Sequence, residues 1–540
     1  MNQTAQYEAL NKKIGEQARQ MKDALLVPVL DDKGGFIGES ATRNERIDSA
    51  VGGTIFEAAG KQAGAIAATA SNALRAYCES RGRMPADDLL ASAHQAIQNV
   101  LESTQPGTGN KLGGIFEAAS LETTDGIIMR DRMIALVLPV MLQQISSNMV
   151  SFIPGQFNQS EIFRIHRQTA SDWAGVAKGT RLRQNYTIQY GSMDLRQGPT
   201  SATKVGNGAI VLFTWDPSAT LVNGGFAGVY PIRKKSIKIL LDRNIVAADD
   251  GNGNFVSTSG VLAASGNSIS YATGAVSVTF AAAPAAGIEV QFAFDIDIEA
   301  SPSLIPAINH EMEAKVLYPH QAAIAGNTSL QTLWNMRREM NLNTDSMAML
   351  AMRNVLAADK DRKHLRDLRY YASGSVTFNG KYPAGPNLSV AEWNASILPT
   401  LLQIDSNFQA NTQYSGLVGI IADTKSSVFF KSLGINYEPP PNYRNIPQPH
   451  YAGRIFGLFD LYVDPYAPDY KCVCFAKGTD LCQSAYIAGD AVPAMAFKHA
   501  ILQSDLRYHN TLWELAYRDL QPFDGRQYVT NLVLDMVTAT

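Results

Sequence analysis

Cysteine is scarce in this chain, with four residues among 540, and three of them, Cys472, Cys474 and Cys482, lie close together. So few thiols exclude a scaffold built on disulfides. The Cys-x-Cys-x7-Cys spacing is not a standard zinc pattern, and two cysteines separated by one residue of a strand share a face, as small core residues do. We therefore predict no metal site.

Long hydrophobic runs are missing as well. The most hydrophobic stretch, residues 133–142, contains Pro139 and is far shorter than the roughly 20 apolar residues that cross a bilayer. The N-terminal residues are polar and charged, so no signal peptide is predicted. We expect a protein that is made and kept in a cytoplasm, with no membrane partner.

Neither sign of charge dominates, since 46 Lys and Arg face 49 Asp and Glu for a net charge of −3. A protein that condenses DNA needs many uncompensated basic residues to neutralise phosphates. The near-neutral net charge argues against a DNA-condensing protein. It is compatible with a container that touches packed DNA only weakly and does not hold it tightly.

Enzyme signatures are also lacking. The sequence has no Gly-rich phosphate loop, no dinucleotide fingerprint, no Gly-x-Ser-x-Gly elbow and no His-Glu-x-x-His. Residues 250–254 are similar to a calcium loop, but Phe255 stands where such a loop needs Gly, so a turn is favoured. We predict neither catalysis nor a cofactor.

One long helix is predicted at residues 343–372, which contain no Gly or Pro and are rich in strong helix formers. Asn343 or Thr344 can cap its start, and its length would be about 45 Å. The first half is apolar, whereas the second half is dense in charge. Such a helix either projects into solvent or touches other subunits; a solvated end with pairs such as Asp359 and Lys363 is the alternative.

The segment 451–475 predicts a tight β-turn-β unit. Bulky side chains on both faces of its first strand indicate a buried strand, and Pro465 and Pro468 set the turn before a second strand at 470–475. Further strands are predicted at 415–422, 494–503 and 506–517, with a helix at 424–433.

A different kind of sequence fills residues 204–300, which are rich in small residues and almost free of helix signals. Strict alternation of apolar and polar residues over 288–298 is typical of an antiparallel strand with one exposed face. Shorter alternating stretches at 236–241 and 276–280 are separated by turns. Together they predict a small inserted β-sandwich.

Two segments resemble the major head protein of T-even-type myophages. The first is the predicted strand pair. The residues that match the family's motif there are Gly457, Phe459, Tyr462, Val463, Asp464, Pro465, Tyr466, Lys477 and Gly478. The second is the order of a strand with Glu313-Ala314-Lys315, a helix at 329–342 and the long helix. Residues 134–163 are similar to the N-terminal arm of the same family.

The resemblance implies an α+β chain with the Johnson-type phage capsid fold. That fold has axial and peripheral domains, a long spine helix, an extended loop and an N-terminal arm. The expected divisions are 1–125, a helical scaffold-like segment; 126–203, the arm and the start of the extended loop; 204–300, the inserted β-module; 301–400, the return of that loop and the peripheral domain; and 401–540, the axial domain.

The implied function is that of a major capsid protein, which self-assembles through hexamers and pentamers into the icosahedral shell around the double-stranded DNA of a tailed bacteriophage. Implied partners are scaffold, portal, decoration or vertex proteins and a maturation protease, and the implied location is the virion. Within this interpretation Arg362, Lys363 and Arg366 are candidates for ion pairs between subunits, because charge massed on a spine helix has few partners in its own chain.

The N-terminal part carries the phrase Ile-Phe-Glu-Ala-Ala twice, at 55–59 and 115–119. Head proteins of this family often lose an N-terminal segment by cleavage after a Glu in such a context, so Glu57 and Glu117 are candidate cleavage positions. Glu-Ala-Ala is also common helical sequence, and five residues are too few to establish a repeat. A retained N-terminal domain is the alternative that we favour.

Two other functions stay open at the level of sequence. A phage tail or baseplate protein could carry the same β-module, although it would hardly need the long helix. A carbohydrate-binding or carbohydrate-active protein is suggested by the β-sandwich and by the aromatic residues near Trp513 and Tyr517.

Overall fold

The computed structural model describes residues 3–31, 34–103, 134–135, 137–171, 173, 176–182, 190–199, 206–215, 230–257, 260–339, 344–382, 389–412, 414–441, 443, 446–499 and 507–536. The chain divides into two compact units. Unit 1 comprises residues 1–164 and 313–540, and unit 2 comprises residues 165–312.

The α-helices with defined bounds are α1 Gln3–Leu25, α2 Ser40–Ala50, α3 Ala63–Arg81, α4 Asp87–Ser103, α5 Leu330–Glu339, α6 Thr344–Tyr371, α7 Val390–Ala395, α8 Leu398–Thr412 and α9 Thr424–Lys431. Short 3-10 helices lie at Val27–Val29, Ile55–Gln62, Ile145–Asn148, Pro302–Leu304, Gly434–Asn436 and Gly525–Tyr528. The predicted long helix is confirmed as α6, which spans 28 residues.

The strands are β1 Ser151–Phe152, β2 Ser160–Thr169, β3 Arg181–Leu182, β4 Asp194–Gln197, β5 Leu212–Trp215, β6 Lys238–Leu241, β7 Asn244–Asp249, β8 Phe255–Ser257, β9 Ser268–Ile269, β10 Val276–Thr279, β11 Val290–Asp295, β12 Ile308–Leu317, β13 His320–Ser329, β14 Ser375–Asn379, β15 Leu417–Ala422, β16 Tyr437–Glu438, β17 His450–Ile455, β18 Phe459–Val463, β19 Lys471–Ala476, β20 Tyr486–His499, β21 Arg507–Leu520 and β22 Val529–Asp535.

Unit 1 contains a seven-stranded mixed sheet in the order β14-β22-β19-β15-β18-β17-β16. Every residue of β18 is buried, as its bulky two-faced pattern predicts. The expected tight β-turn-β unit is wrong in one respect, because β18 and β19 are not neighbours. β15 lies between them, parallel to β18 and antiparallel to β19, since its almost wholly apolar sequence needs the fully covered centre of a sheet.

A second sheet of unit 1 has the order β1-β20-β21-β13. A strand was expected only after Pro493, but β20 already begins at Tyr486. The pairing of β20 with β21 shifts register between Asp490 and Met495. A proline cannot donate to a ladder and is tolerated where pairing is irregular, so the strand passes through it.

The N-terminal helices belong to the same core as these sheets. Tyr77 donates to the side-chain oxygen of Asn148 at 2.7 Å, and Asp88 accepts from the backbone N–H of Phe152 at 2.9 Å. In α4, Asn99 donates to the carbonyl of Ala491 in β20 at 2.7 Å. The helices are therefore joined to unit 1 by buried polar contacts as well as apolar ones.

Unit 2 consists mainly of β-strands and spans residues 165–312, whereas the inserted β-module was predicted at 204–300. A five-stranded sheet, β4-β11-β6-β7-β8, and a three-stranded sheet, β5-β10-β9, enclose one core. β11 confirms the alternation, since Val290, Phe292 and Phe294 are buried and the residues between them are half-buried. The rings of Trp215 and Phe294, one from each sheet, lie 4.3 Å apart.

Strands β2 and β12 carry the chain between the units, in a sheet of order β12-β2-β3. Within the described part of the chain, β12 pairs with β2. None of the helices described is long and apolar enough to cross a membrane.

Replacing Phe292 by Ala should destabilise unit 2, because the ring is wholly buried between its two sheets. Truncation of a buried Phe costs about 3–5 kcal/mol. Gln291→Ala is the control, since this neighbouring side chain lies on the half-buried face and should change stability by less than about 1 kcal/mol. Equal shifts of the unfolding midpoint for the two variants would contradict the assigned core.

Candidate assembly surface

β13 is an exposed strand of unit 1. This strand is an edge of its sheet, paired on one side with β21 over its full length. Its residues alternate between half-buried and exposed, and none is buried. Edge strands of this length are templates for pairing with other chains.

Exposed apolar side chains gather in the same part of the chain. Among the side chains described between residues 313 and 371, six large ones are 41% to 81% exposed: Val316, Tyr318, Leu330, Trp334, Val355 and Tyr370. These side chains belong to β12, the turn after it, α5 and α6, the elements that flank β13 in the sequence.

The opposite face of β13 and β21 packs on the long helix α6 through a small core of Met352, Leu356 and Leu512, with Ile324 against it. This core fixes the apolar first half of the helix. The charged second half is fixed in a different way.

A buried ionic centre joins α6 to the β20–β21 pair. The Lys360 ammonium lies 2.8 Å from Asp490 and 2.9 Å from Glu514, and Arg518 pairs with the other oxygen of Glu514. All four side chains are at least nine-tenths buried. Two positive and two negative charges balance, which is the condition under which buried charges are tolerated.

Burial has a visible effect on proton affinity here. Removal from water lowers the pKa of Lys360, against the opposing attraction of Asp490. It likewise lowers the pKa of the Arg518 guanidinium. Both shifts report the cost of desolvation, which only the surrounding carboxylates offset.

Two further charged groups of α6 are turned inward. Asp361 accepts from the backbone N–H of Ile145 and from the hydroxyl of Ser146, each at 3.2 Å, and burial raises its pKa to about 6. His364 Nδ1 lies 2.9 Å from the same hydroxyl, and burial lowers its pKa to about 3. The expectation that this half of the helix stands in solvent or at a subunit boundary is therefore wrong for these groups.

The three residues predicted to pair between subunits all lie on the outer side of α6. Lys363 binds Asp367 at 2.9 Å within the helix, and Arg366 lies 3.6 Å from the same carboxylate. Arg362 donates to the Tyr466 hydroxyl at 2.6 Å and stacks over that ring. The premise that they have few partners in their own chain is therefore wrong, and pairing between subunits stays a prediction.

Arg362 and its neighbour Arg369 also connect the two segments that carried the sequence resemblance. Arg369 pairs with Asp464 at 2.8 Å, just before Tyr466. The turn that follows β18 is thus bound to the second half of α6.

Of the candidate cleavage positions, Glu57 lies in the 3-10 helix Ile55–Gln62. Its carboxylate accepts from the backbone N–H of Gly53 at 2.7 Å, and its side chain is exposed. Glu117 lies outside the described residues. Cleavage at either stays a prediction.

No group of three or more His, Cys, Asp or Glu in the described part of the chain is arranged to hold a metal ion. Cys472 and Cys474 are buried in β19, and burial raises the pKa of the Cys472 thiol to about 12. These two residues are core residues.

Comparison with known proteins separates two parts of the chain. A family model described as "Domain of unknown function (DUF8615)" matches residues 2–144. A curated relative, Protein IncB of Escherichia coli, is 30% identical over 144 residues, which are 26% of this chain and 69% of the relative. The chain belongs to the IncB family. Membership in the IncB family rests on about a quarter of the chain.

Solved structures similar to the chain include capsids of phages. The PhiKZ jumbo phage capsid covers 70% of this chain and 89% of its own, at 9% identity and a TM-score of 0.33. The capsid of Myoviridae phage XM1 covers 67% of this chain and 96% of its own, at 10% identity and a TM-score of 0.30. A Mycobacterium phage Che8 chain covers 44% of this chain and 79% of its own, at 12% identity and a TM-score of 0.29.

The ionic centre was not predicted from the sequence. Lys360 and Asp361 stand in a run of charges that looks like a solvated face, and their partners lie more than a hundred residues away. One signal was available: Glu514 and Arg518 are charged residues on a strand face whose other members, such as Leu512 and Ala516, are apolar.

Lys360→Met should destabilise unit 1 strongly. It leaves Asp490 and Glu514 buried with only Arg518 as counter-charge, and breaking a buried pair typically costs about 3–5 kcal/mol. Arg366→Met removes the same charge from a side chain that is 74% exposed, so a change below about 0.5 kcal/mol is expected. Denaturant unfolding of both variants tests this, and equal losses would contradict a structural role for the centre.

Proposed function

We propose that this chain is the major capsid protein of a tailed bacteriophage, a non-enzymatic building block without cofactor. Many copies would assemble through hexamers and pentamers into the icosahedral head shell around double-stranded DNA. The observation that carries the proposal is the open segment at β13 and its flanks, which leaves ten residues of strand edge and several large apolar side chains without cover in the described chain.

The order of elements supports the same proposal. The strand with Glu313-Ala314-Lys315, β12, precedes the helix α5 and the long helix α6, as the sequence resemblance implies, but the strand β13 lies between β12 and α5. Contacts of Arg362 and Arg369 join α6 to the Asp464–Tyr466 turn. In the proposed Johnson-type fold, α6 is the spine helix, the seven-stranded sheet belongs to the axial domain, and β2 and β12 lead into the extended loop that carries unit 2.

The remaining parts take roles within the virion. The predicted five-part domain division places residues 1–125, expected from the sequence to be mainly helical, ahead of the arm. Scaffold, portal, decoration or vertex proteins and a maturation protease that cuts after Glu57 or Glu117 are the further partners, and assembly takes place in the host cytoplasm. Unit 2 faces outward in this proposal, and DNA touches the inner wall only weakly, in keeping with the net charge of −3.

Self-assembly is testable with the chain alone. Expressed and purified, it should form closed shells, or flat and tubular sheets of hexamers, because many small interfaces add up to a stable assembly. Sedimentation velocity with negative-stain electron microscopy provides the measurement. A monodisperse, folded monomer of the full chain would contradict the proposal.

The outer charges of α6 are tested separately. Arg362→Glu combined with Arg366→Glu should impair assembly at low salt if these residues pair with acidic groups of a neighbour. Each exposed pair contributes only about 0–1 kcal/mol, but it recurs at every interface. Lys12→Glu with Arg19→Glu, which reverses two exposed charges on α1, is the matched control; normal shells from both double variants would remove these residues from the interface.

A further inference from the structure

The free edge of β13 differs from the other long exposed strand in the protection it carries. Natural edge strands are blunted by charges, by proline or by bulges. β12 follows that rule, with Glu311, Glu313 and Lys315 along its length. β13 has neither proline nor a permanently charged residue; its one ionisable side chain is His320 at the end of the strand.

The pairing with β21 is regular over all ten residues, from His320 opposite Ala516 to Ser329 opposite Arg507. Successive backbone groups of a strand point alternately to its two sides. Half of the N–H and C=O groups of β13 therefore point away from β21. Within the described chain, no strand pairs with that side of β13.

The two faces of β13 also differ. Ala322 and Ile324 turn toward α6 and pack on its apolar half. Gln321, Ala323, Ala325 and Asn327 form the other face and are exposed. The strand is thus held in place from one face while one edge and one face stay open.

We infer that β13 pairs antiparallel with β13 of a second copy of this chain, across a twofold axis at Ile324, so that two four-stranded sheets become one. A twofold axis perpendicular to a sheet keeps each side chain on its own face, so opposite residues must share a face. Centring on Ile324 meets that condition.

The resulting partners fit one another along the strand. Ala323 faces Ala325 of the second copy, and Gln321 faces Asn327. The Asn327 Oδ1 lies 2.7 Å from His509 Nδ1, so its amide nitrogen is the group that can donate to Gln321. No like charges are brought together, and apolar groups meet apolar groups.

A second copy is favoured over another partner because this complementarity exists within one sequence. Isologous pairing also uses up the free edge completely, whereas an added strand from elsewhere would create a new edge. The inference rests on the proposed function, since self-assembly supplies the second copy, but it is tested independently of shell formation.

Cysteine pairing tests the register. In a Cys78→Ser background, in which the other native cysteines are buried, Ala323→Cys and Ala325→Cys are made separately, and full chains are mixed and oxidised. Directly opposite residues are within disulfide reach. Two chains that carry the same substitution would place their introduced thiols at diagonal positions about 7–8 Å apart, beyond that reach. In an equal mixture about half of all pairs contain one chain of each variant, and we expect these mixed pairs to form a disulfide-linked dimer. Either variant alone should form little of it.

A charge pattern provides the second test. Ala323→Lys with Ala325→Lys sets Lys against Lys across the axis and should abolish the dimer contact. Ala323→Lys with Ala325→Glu sets opposite charges together and should keep it. Folding of both variants is checked by their unfolding midpoints.

The outcomes separate the two proposals. Shells without cross-linking in the mixture, or equal cross-linking of each single variant, would overturn the β13 pairing and leave the capsid function standing. Register-specific dimers without shells would support the pairing and count against the capsid function. Loss of the contact in both charge variants would also overturn the assigned register.

Discussion

The placement of the long helix depends on one interaction, the buried ionic centre in which Lys360 lies between Asp490 and Glu514. Charges at this depth are tolerated only when all of them are paired, so α6 is held to β20 and β21 in a single position along its axis. Apolar packing alone, at Met352 and Leu356, would permit small slides of the helix. The ionic centre removes that freedom.

That rigidity has consequences for the surface. With α6 fixed on one face of β13, the edge and the other face of this strand are presented in a defined geometry. Arg369 and Arg362 extend the same fixation to the turn after β18. A building block that must meet its neighbours at repeated angles requires such a frame, because each interface is small and errors accumulate over a shell.

Much of the local structure was predictable from the sequence. Alternation at 288–298 predicted β11 and its buried face, and the Gly-free and Pro-free run predicted α6 nearly to its ends. Bulky residues on both faces of 459–463 predicted a buried strand. These features are local, so periodicity and propensity report them directly.

What was missed depends on contacts between distant residues. The insertion of β15 between β18 and β19 is a topological choice that local pattern does not determine. The inward turn of Lys360 and Asp361 depends on Asp490, Glu514 and the backbone at Ile145, none of which is near in sequence. The resemblance to phage heads predicted α6 but implied that its charges pair with other subunits, whereas Lys360, Asp361 and Lys363 have partners in their own chain.

The most direct measurement is amide hydrogen exchange of the full chain, compared between assembled particles and dissociated protein. The account predicts new protection at residues 320–329, where half of the amide groups point away from β21, while the already buried β18 stays unchanged. Unchanged exchange along β13 in a genuine assembly, or no assembly to measure, would contradict the claim that this open surface exists to meet further copies of the chain.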